Sequence, residues 1–402
     1  MTHSKQLHPV KQSYGVIANI QNLCAALNIS EAELNAARAI PQADRYEQGE
    51  VEKKDGSPRV VYNPHYLLRR IQRRINRRLF ADSSMVRWPD HIFGSIPNDD
   101  YFGSNVPHRD YANCAAQHCQ AKSILSVDIQ NFFSNIHVDL VRDVFENFFK
   151  FPPDVSDALV DICCLENGIV QGALTSSYIA TLCLFRYEGA LVAKLGYKNL
   201  VYTRLVDDIT ISSKVSHYDF DYALSQIESM LASAGLPLNK RKTQIQYASM
   251  KPLIVHGLRV DYQQPRLPPE EPRRIRAAVK NLEMLAQSPG YRASRTYRKD
   301  FNRCMGRVNK LARVGHSQHV PLATRLKRIL PLASHKDIER AEKLIARLQL
   351  DVAKPNYTSS FWFYKRINVA SERLGILKRS FPAKAAELRK TLSVLKSQSA
   401  YE

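Results

Sequence analysis

Three carboxylates in two short segments are the residues best placed to do chemistry. Asp128 closes the run Ser126-Val127-Asp128-Ile129. Asp207 and Asp208 sit inside Tyr202-Thr203-Arg204-Leu205-Val206-Asp207-Asp208-Ile209-Thr210-Ile211. Both segments are apolar around their acids. A lone carboxylate at the end of a buried strand is costly unless a cation, an arginine or a helix N-terminus compensates it. Taken singly, Asp128 reads equally as a helix cap or an ion-pair partner, and Asp207-Asp208 as an ordinary tight turn. Taken together, carboxylates converging at strand ends make the oxygen-rich, charged site that Mg²⁺ prefers. Two such ions ~3.5–4 Å apart activate a 3′-hydroxyl and stabilise a departing pyrophosphate.

Between these segments lies Asn167-Gly168-Ile169-Val170-Gln171-Gly172-Ala173-Leu174-Thr175-Ser176-Ser177. Gly172 permits close backbone approach and the Gln171 amide can bond a substrate group, although a glycine-rich loop before a helix is weak evidence alone. Upstream, Arg69, Arg73 and Arg77, and on an adjoining row Arg70, Arg74 and Arg78, recur every four residues with no acid among them. Such self-repulsion favours a phosphate backbone as counter-charge over a solvated face.

The elements that must carry these residues can be read from apolar spacing. Short helices are expected within 14–46, and a β-hairpin over 48–62 turning at Asp55-Gly56-Ser57-Pro58. Pro64 opens a helix over 65–80 with Leu68, Ile71, Ile75 and Leu79 on one face. Residues 85–120 are irregular. A buried strand over 123–130 carries Asp128, and a hairpin over 200–213 presents Asp207-Asp208. Helices are expected over 138–150, 153–165 and 217–235, with one long helix over 173–195. A strand pair follows at 253–262, and helices dominate after Pro268. The expected fold class is therefore α+β, mixed.

The 402 residues carry 58 Lys+Arg against 38 Asp+Glu, a net +20. With 44% hydrophobic residues the chain is no disordered basic tail. No apolar run approaches the ~18 residues of a spanning helix, and no secretory leader is visible, so no membrane and a cytoplasmic location are expected. Seven Cys without a C-x-x-C pair fit free thiols in a reducing compartment. Residues 1–265 hold 28 basic and 27 acidic residues, 266–348 hold 20 and 7, and 349–402 hold 10 and 4. Charge so segregated points to a polyanion, nucleic acid above all.

The ordered motifs resemble the reverse transcriptase palm. Asp128 with Phe132-Phe133 is similar to its first catalytic motif. Gly168 to Ser176 resembles its G-x-x-Q-G-x-x-x-S/T stretch, and Leu205 to Asp208 its Y-x-D-D box. Leu238-Asn239-Lys240-Arg241-Lys242-Thr243 resembles the following L-N-x-x-K-T motif. Val255-His256-Gly257-Leu258-Arg259-Val260 resembles the V-T-G-L-x-V strand of retron enzymes. Lys53 to Arg59 and Leu68 to Arg78 match the fingers, so the likeness spans about residues 45–330.

The resemblance implies a right-hand polymerase: fingers and palm over 1–265, an all-helical basic thumb over 266–348, and a C-terminal extension over 349–402. It implies that Asp128, Asp207 and Asp208, with the Ile129 backbone carbonyl, hold two Mg²⁺, with Mn²⁺ as a substitute. Lys54, Arg59 and Lys242 would meet the triphosphate, and Gln171 and Gly172 the nucleotide. Phe133 stands where a steric gate excludes a ribose 2′-OH; the plain alternative, core packing, suits Phe132 better. Arg69, Arg73, Arg77, Arg273, Arg303, Arg307 and Lys310 would grip template and primer. The implied activity is RNA-directed DNA polymerase copying a structured non-coding RNA from dNTPs, in a retron-like antiphage setting in the bacterial cytoplasm, with an effector protein, a second reverse transcriptase or an oligomer as further partners. A protein-primed or partnered non-retron enzyme is the rival within the class. A catalytically silent RNA-binding scaffold is the rival outside it, suggested by Leu205 where the box has Tyr. Asn113 to His118 carries one residue more than the retron N-A-x-x-H motif, and His256 replaces the usual Thr.

Overall fold

The computed structural model describes residues 6–13, 15, 17–52, 56–82, 84–98, 108–355 and 357–399. The chain forms two compact units, Met1–Pro265 and Arg266–Glu402.

In the first unit, helices α1 (Ile20–Leu27) and α2 (Glu31–Arg38) precede a hairpin of β1 (Tyr46–Glu52) and β2 (Pro58–Pro64), then α3 (Tyr66–Ile75). The hairpin pairs in register from Tyr46↔Pro64 to Glu52↔Pro58. Residues 53–55, Lys54 among them, lie outside the described residues. The expected apolar face of α3 is fully buried at Leu68, Ile71 and Ile75. The helix does not run evenly to residue 80. Asn76–Phe80 widen into a π-helical turn, closed by the Ala81 N–H on the Asn76 carbonyl at 2.7 Å, while the Asn76 amide reaches the Leu174 carbonyl at 2.6 Å. The helix expected over 138–150 likewise passes from Val138–Asp143 into a π-helical turn at Val144–Phe148.

Further elements of this unit include β3 (Ile92–Phe93), α4 (Tyr111–Ala116), β4 (Ser123–Asp128), α5 (Pro153–Cys163), α6 (Ser176–Leu182), α7 (Glu188–Tyr197), β5 (Val201–Leu205), β6 (Asp208–Ser213), α8 (Asp221–Ser233) and β7 (Gln244–Tyr247), and the strand pair expected at 253–262 forms as Ile254–Val255 with Leu258–Arg259. Five strands make a sheet in the order β3-β5-β6-β4-β7. Only β3 and β5 run parallel. The interior strand β4 is apolar on both faces because both are covered: Ile124, Leu125 and Val127 are buried. The single helix expected over 173–195 is broken in two. The Arg204 guanidinium takes the Thr181 carbonyl at 2.9 Å, and the Phe185 N–H, its helical partner by position, bonds Leu182 instead. Apolar spacing continues across the break, so periodicity alone cannot reveal it.

In the second unit, α9 (Glu270–Gln287), α10 (Arg295–Arg313) and α11 (His319–Arg328) lead into α12 (His335–Val352), α13 (Phe361–Leu377) and α14 (Pro382–Ser397). The last three share one core, with Ile345, Leu348, Phe363, Ile367, Leu374 and Leu392 buried. The boundary expected at 348/349 therefore falls inside α12. That helix packs with the C-terminal extension, and the chain breaks helical form earlier, at 330–334. Phe363 fills this core, whereas the neighbouring Trp362 is exposed.

Candidate active site

The last residue of β4 lies opposite the first residue of β6: Asp128 and Asp208 are ladder partners. Asp207 belongs to the two-residue turn Val206-Asp207 that joins β5 to β6, and its carbonyl accepts the Ile129 N–H at 3.1 Å. The ends of interior strands β4, β5 and β6 thus bring all three acids to one end of the sheet. Asp128 is buried. Its carboxylate accepts Lys242 Nζ at 2.8 Å on Oδ1 and Asn239 Nδ2 at 2.9 Å on Oδ2. The Asn239 N–H also donates to the Asp128 carbonyl at 2.9 Å, so the Leu238–Thr243 loop is tied to the end of the strand. That bond to Asp128 holds the Lys242 ammonium above its ordinary pKa.

Burial raises the Asp207 carboxyl, and the Asp128 charge adds to this, while Lys242 and Arg59 work the other way. Burial, then Asp207 and Asp128, push Asp208 up to about 6. Carboxylates that disfavour one another's charge suit a divalent cation, and an oxygen-only donor set suits Mg²⁺ over softer ions. Among the described residues, no three His, Cys, Asp or Glu side chains are gathered closely enough to hold an ion unaided. Beside phosphates, Mg²⁺ usually takes one or two carboxylates and completes its shell with substrate and water.

The turn is strained. Val206, a β-branched residue, has φ +61°, a conformation normally reserved for glycine or asparagine. Arg204 holds it: Nη1 donates to the Val206 carbonyl at 3.1 Å. Arg204 is fully buried, and its Nε and Nη2 meet the two oxygens of buried Glu188 at 2.6 and 2.7 Å. Burial alone would raise the Glu188 carboxyl, but Arg204 outweighs it and holds that carboxyl well below the usual range. Sequence reasoning missed this pair. The available signals were a lone Arg in an apolar strand and a lone Glu in the apolar stretch 173–195.

Behind the turn, His118 lies fully enclosed, with Nδ1 2.7 Å from Ser212 Oγ and Nε2 2.7 Å from Thr203 Oγ1. It clamps β5 to β6, and burial lowers its pKa to about 3. Cys114 Sγ donates to Thr203 Oγ1 at 3.3 Å and lies 3.3 Å from His256 Nε2, whose Nδ1 is 4.0 Å from Asp208. The irregular N-A-x-x-H-like stretch and the unusual His256 therefore meet at the back of the carboxylate site.

Gln171 and Gly172 are stitched to the hairpin. The Tyr62 N–H donates to the Gln171 carbonyl at 2.8 Å. Gly172 has φ +115°, and a Cβ there would stand 2.2 Å from the Tyr62 carbonyl oxygen. Gly172→Ala is expected to cost on the order of 2–3 kcal/mol and to displace the loop; a urea midpoint unchanged from wild type would contradict this. Gln72, which sequence reasoning also passed over, bonds Tyr46 Oη, the Ile162 carbonyl and the Leu174 N–H, joining hairpin, α5 and loop. Phe132 is buried and Phe133 half-exposed, their rings 5.9 Å apart. Arg59 is exposed on β2.

The two arginine rows of α3 part company. Arg70 pairs with Glu33 at 2.8 Å, and Arg74 and Arg78 donate to the Leu27 and Ala26 carbonyls at 3.4 and 3.3 Å. That row caps the C-terminus of α1, a favourable place for cations. Arg69 donates to Asn63 at 3.1 Å, Arg73 is half-buried and Arg77 exposed. In the second unit, Arg303, Arg307 and Lys310 share one exposed face of α10, and Arg273 is exposed on α9.

No described helix is long and apolar enough to cross a membrane. Residues 51–288 match the reverse transcriptase (RNA-dependent DNA polymerase) family. The chain is 48% identical over 373 residues to the retron Ec48 reverse transcriptase of Escherichia coli, covering 92% of this chain and 90% of that one. It is 32% identical over 348 residues to the retron Se72 reverse transcriptase of Salmonella heidelberg, covering 85% and 87%. Among solved structures it matches a Candida albicans telomerase at TM-score 0.37 and 11% identity, spanning 86% of this chain and 65% of that one, less than two thirds of its length. With the three carboxylates lying inside the matched segment, the chain belongs to the reverse transcriptase family as a retron-type RNA-directed DNA polymerase.

Proposed function

We propose that this polymerase copies a structured non-coding RNA into DNA by two-metal nucleotidyl transfer, in the bacterial cytoplasm and in the service of antiphage defence. One observation carries the chemical part: Asp128 and Asp208 face each other across the ladder, with Asp207 in the adjoining turn. Asp128, Asp207 and Asp208, with the Ile129 carbonyl, would hold the Mg²⁺ ions. When bound, the ions supply Lewis acidity at the attacking 3′-oxygen and the leaving pyrophosphate. The protein's own part is charge and placement. Lys242 neutralises Asp128 between substrates, that bond keeping it protonated, and moves toward the phosphates as an ammonium when one arrives. Arg59 and Lys54 hold the triphosphate from the hairpin. Gln171 and Gly172 form the floor under the nucleotide.

Half-exposed Phe133 stands beside the incoming sugar and excludes a 2′-hydroxyl. Phe133→Ala is expected to raise ribonucleotide incorporation relative to deoxyribonucleotide by about 10²-fold, an effect of ~2.7 kcal/mol. Single-nucleotide incorporation measures it, and an unchanged ratio returns Phe133 to a packing role.

Arg69, Arg73 and Arg77, with Arg273, Arg303, Arg307 and Lys310, grip template and primer by their backbones, so affinity should fall steeply with salt. Arg303→Gln with Arg307→Gln is expected to lower the salt slope of hybrid binding by about two and to spare sequence preference. Filter binding across a potassium chloride series reads this directly. The overall reading is tested by purifying the protein with its bound nucleic acid, adding dNTPs and Mg²⁺, and sequencing products with their 5′ ends. DNA branched from an RNA 2′-oxygen supports the retron reading. Peptide-linked DNA, or no synthesis, overturns it.

A further inference from the structure

The loop that leads into α6 is anchored on both sides of Gly172, and the two anchors come from different elements. On one side the Tyr62 N–H of the hairpin holds the Gln171 carbonyl at 2.8 Å. On the other, α3 takes both backbone groups of Leu174. Gln72 Oε1 accepts the Leu174 N–H at 3.1 Å, and Asn76 Nδ2 donates to the Leu174 carbonyl at 2.6 Å. Gly172 lies between these anchors, exposed, with φ +115°. Glycine backbone adopts many conformations at little cost, so what grips the chain on either side decides where this exposed stretch sits.

The double grip needs two particular side chains at one spacing. A side-chain amide both donates and accepts without carrying charge. Residues four apart on a helix share a face, so Gln72 and Asn76 reach one residue of the loop together. Gln72 is fully buried, and its Nε2 is engaged by Tyr46 Oη at 2.8 Å and the Ile162 carbonyl at 2.9 Å. It is held from three sides. Asn76 is different. Among the described residues its side chain makes one hydrogen bond, the one to Leu174, and its buried Oδ1 has no partner. A buried polar atom left unbonded calls for a reason beyond packing. Arg73 and Arg77 directly follow the two amides, on the neighbouring row of the same helix.

We infer that Gln72 and Asn76 are positioning residues for the incoming nucleotide. By holding Leu174 they set where Gln171 and Gly172 stand, and with that the affinity for dNTP. The inference rests on the reading of Gln171 and Gly172 as the floor under the nucleotide. Neither amide is bonded to Asp128, Asp207 or Asp208, so the chemical step should be spared. An interaction that acts on substrate binding alone raises KM and leaves kcat in place.

Single-nucleotide incorporation by the full chain, on an RNA template with an annealed DNA primer and dNTP titrated in Mg²⁺, tests it. Asn76→Ala is expected to raise KM for dNTP about five- to tenfold, the scale of one hydrogen bond, with kcat within about twofold. Affinity for the primed template should stay at the wild-type value, and the melting temperature should fall by no more than about 3 °C. Asn76→Asp keeps the shape but offers the Leu174 carbonyl no donor; it should raise KM as much, and it serves if the alanine variant unfolds. Gln171→Ala separates the inference from the reading beneath it. If that variant leaves KM unchanged, the floor reading falls and the inference with it. If it raises KM while both Asn76 variants leave KM unchanged, the inference alone is overturned. A lower kcat at unchanged KM, weaker binding of the primed template, or unfolding of both Asn76 variants overturns it as well.

Discussion

Asp207→Asn and Asp208→Asn are expected to stop DNA synthesis and, in metal-free buffer, to make the protein more stable. The loss of rate should be on the order of 10³-fold or more, since each acid removed weakens the hold on a cation worth several kcal/mol in the transition state. The gain in stability has the opposite sign for a physical reason. Both carboxyls are raised by burial and by neighbouring negative charge. Such a group binds more protons folded than unfolded, so its ionisation destabilises the fold increasingly as pH rises from the unfolded value through the folded one. For Asp208 that window runs from about 3.8 to about 6. Above it the penalty is complete, and Asn removes it; below pH ~4 Asn brings nothing. Asp208 is half-exposed, and water screens much of the repulsion, so a rise of about 2 °C at pH 7.5 is the expected scale. Scanning calorimetry in EDTA at pH 7.5 and pH 4 measures it. A lower melting temperature at pH 7.5 would mean that the acids are structural.

Glu188→Gln carries the largest expected loss of stability. It leaves the Arg204 guanidinium buried opposite a neutral amide, and breaking a buried pair on one side costs ~3–5 kcal/mol. Urea unfolding should show it as a lower midpoint. The double variant Glu188→Met, Arg204→Met separates two roles. Replacing a buried pair on both sides is often neutral for stability, so much of the loss should be recovered. Synthesis should stay at least about tenfold low, because the Val206 carbonyl still lacks the guanidinium that holds the turn. A double variant with wild-type rate would limit the pair to packing.

The sequence displays Asp128, Asp207 and Asp208 because charge in apolar strands violates the local pattern, and the fold brings them to one end of the sheet. The hairpins at 46–64 and 201–213 were legible for a similar reason: alternating strand formers around a turn signal are local information. What escaped was tertiary. The helix break after Leu182 depends on a carbonyl diverted by Arg204, which comes from another element. The six arginines of α3 look alike in sequence, yet three face the carbonyl end of α1 and Glu33. Gln72 and His118 are polar residues whose burial only their distant partners justify. The boundary at 348/349 follows from the resemblance and the step in charge, whereas packing, which neither reports, joins α12 to the two helices that follow.

The guanidinium behind the Val206-Asp207 turn has a bearing on how this family can vary. Because Arg204 fixes the Val206 carbonyl from inside the unit, the side chain at 205 is released from shaping the turn. Leu205 instead leans over Gly94, where a Cβ would come within 2.7 Å of its Cδ1. Positions 94 and 205 therefore share one volume. Gly94 also has φ +71°, so a side chain there meets backbone strain as well as Leu205, and a smaller residue at 205 removes only the second obstacle.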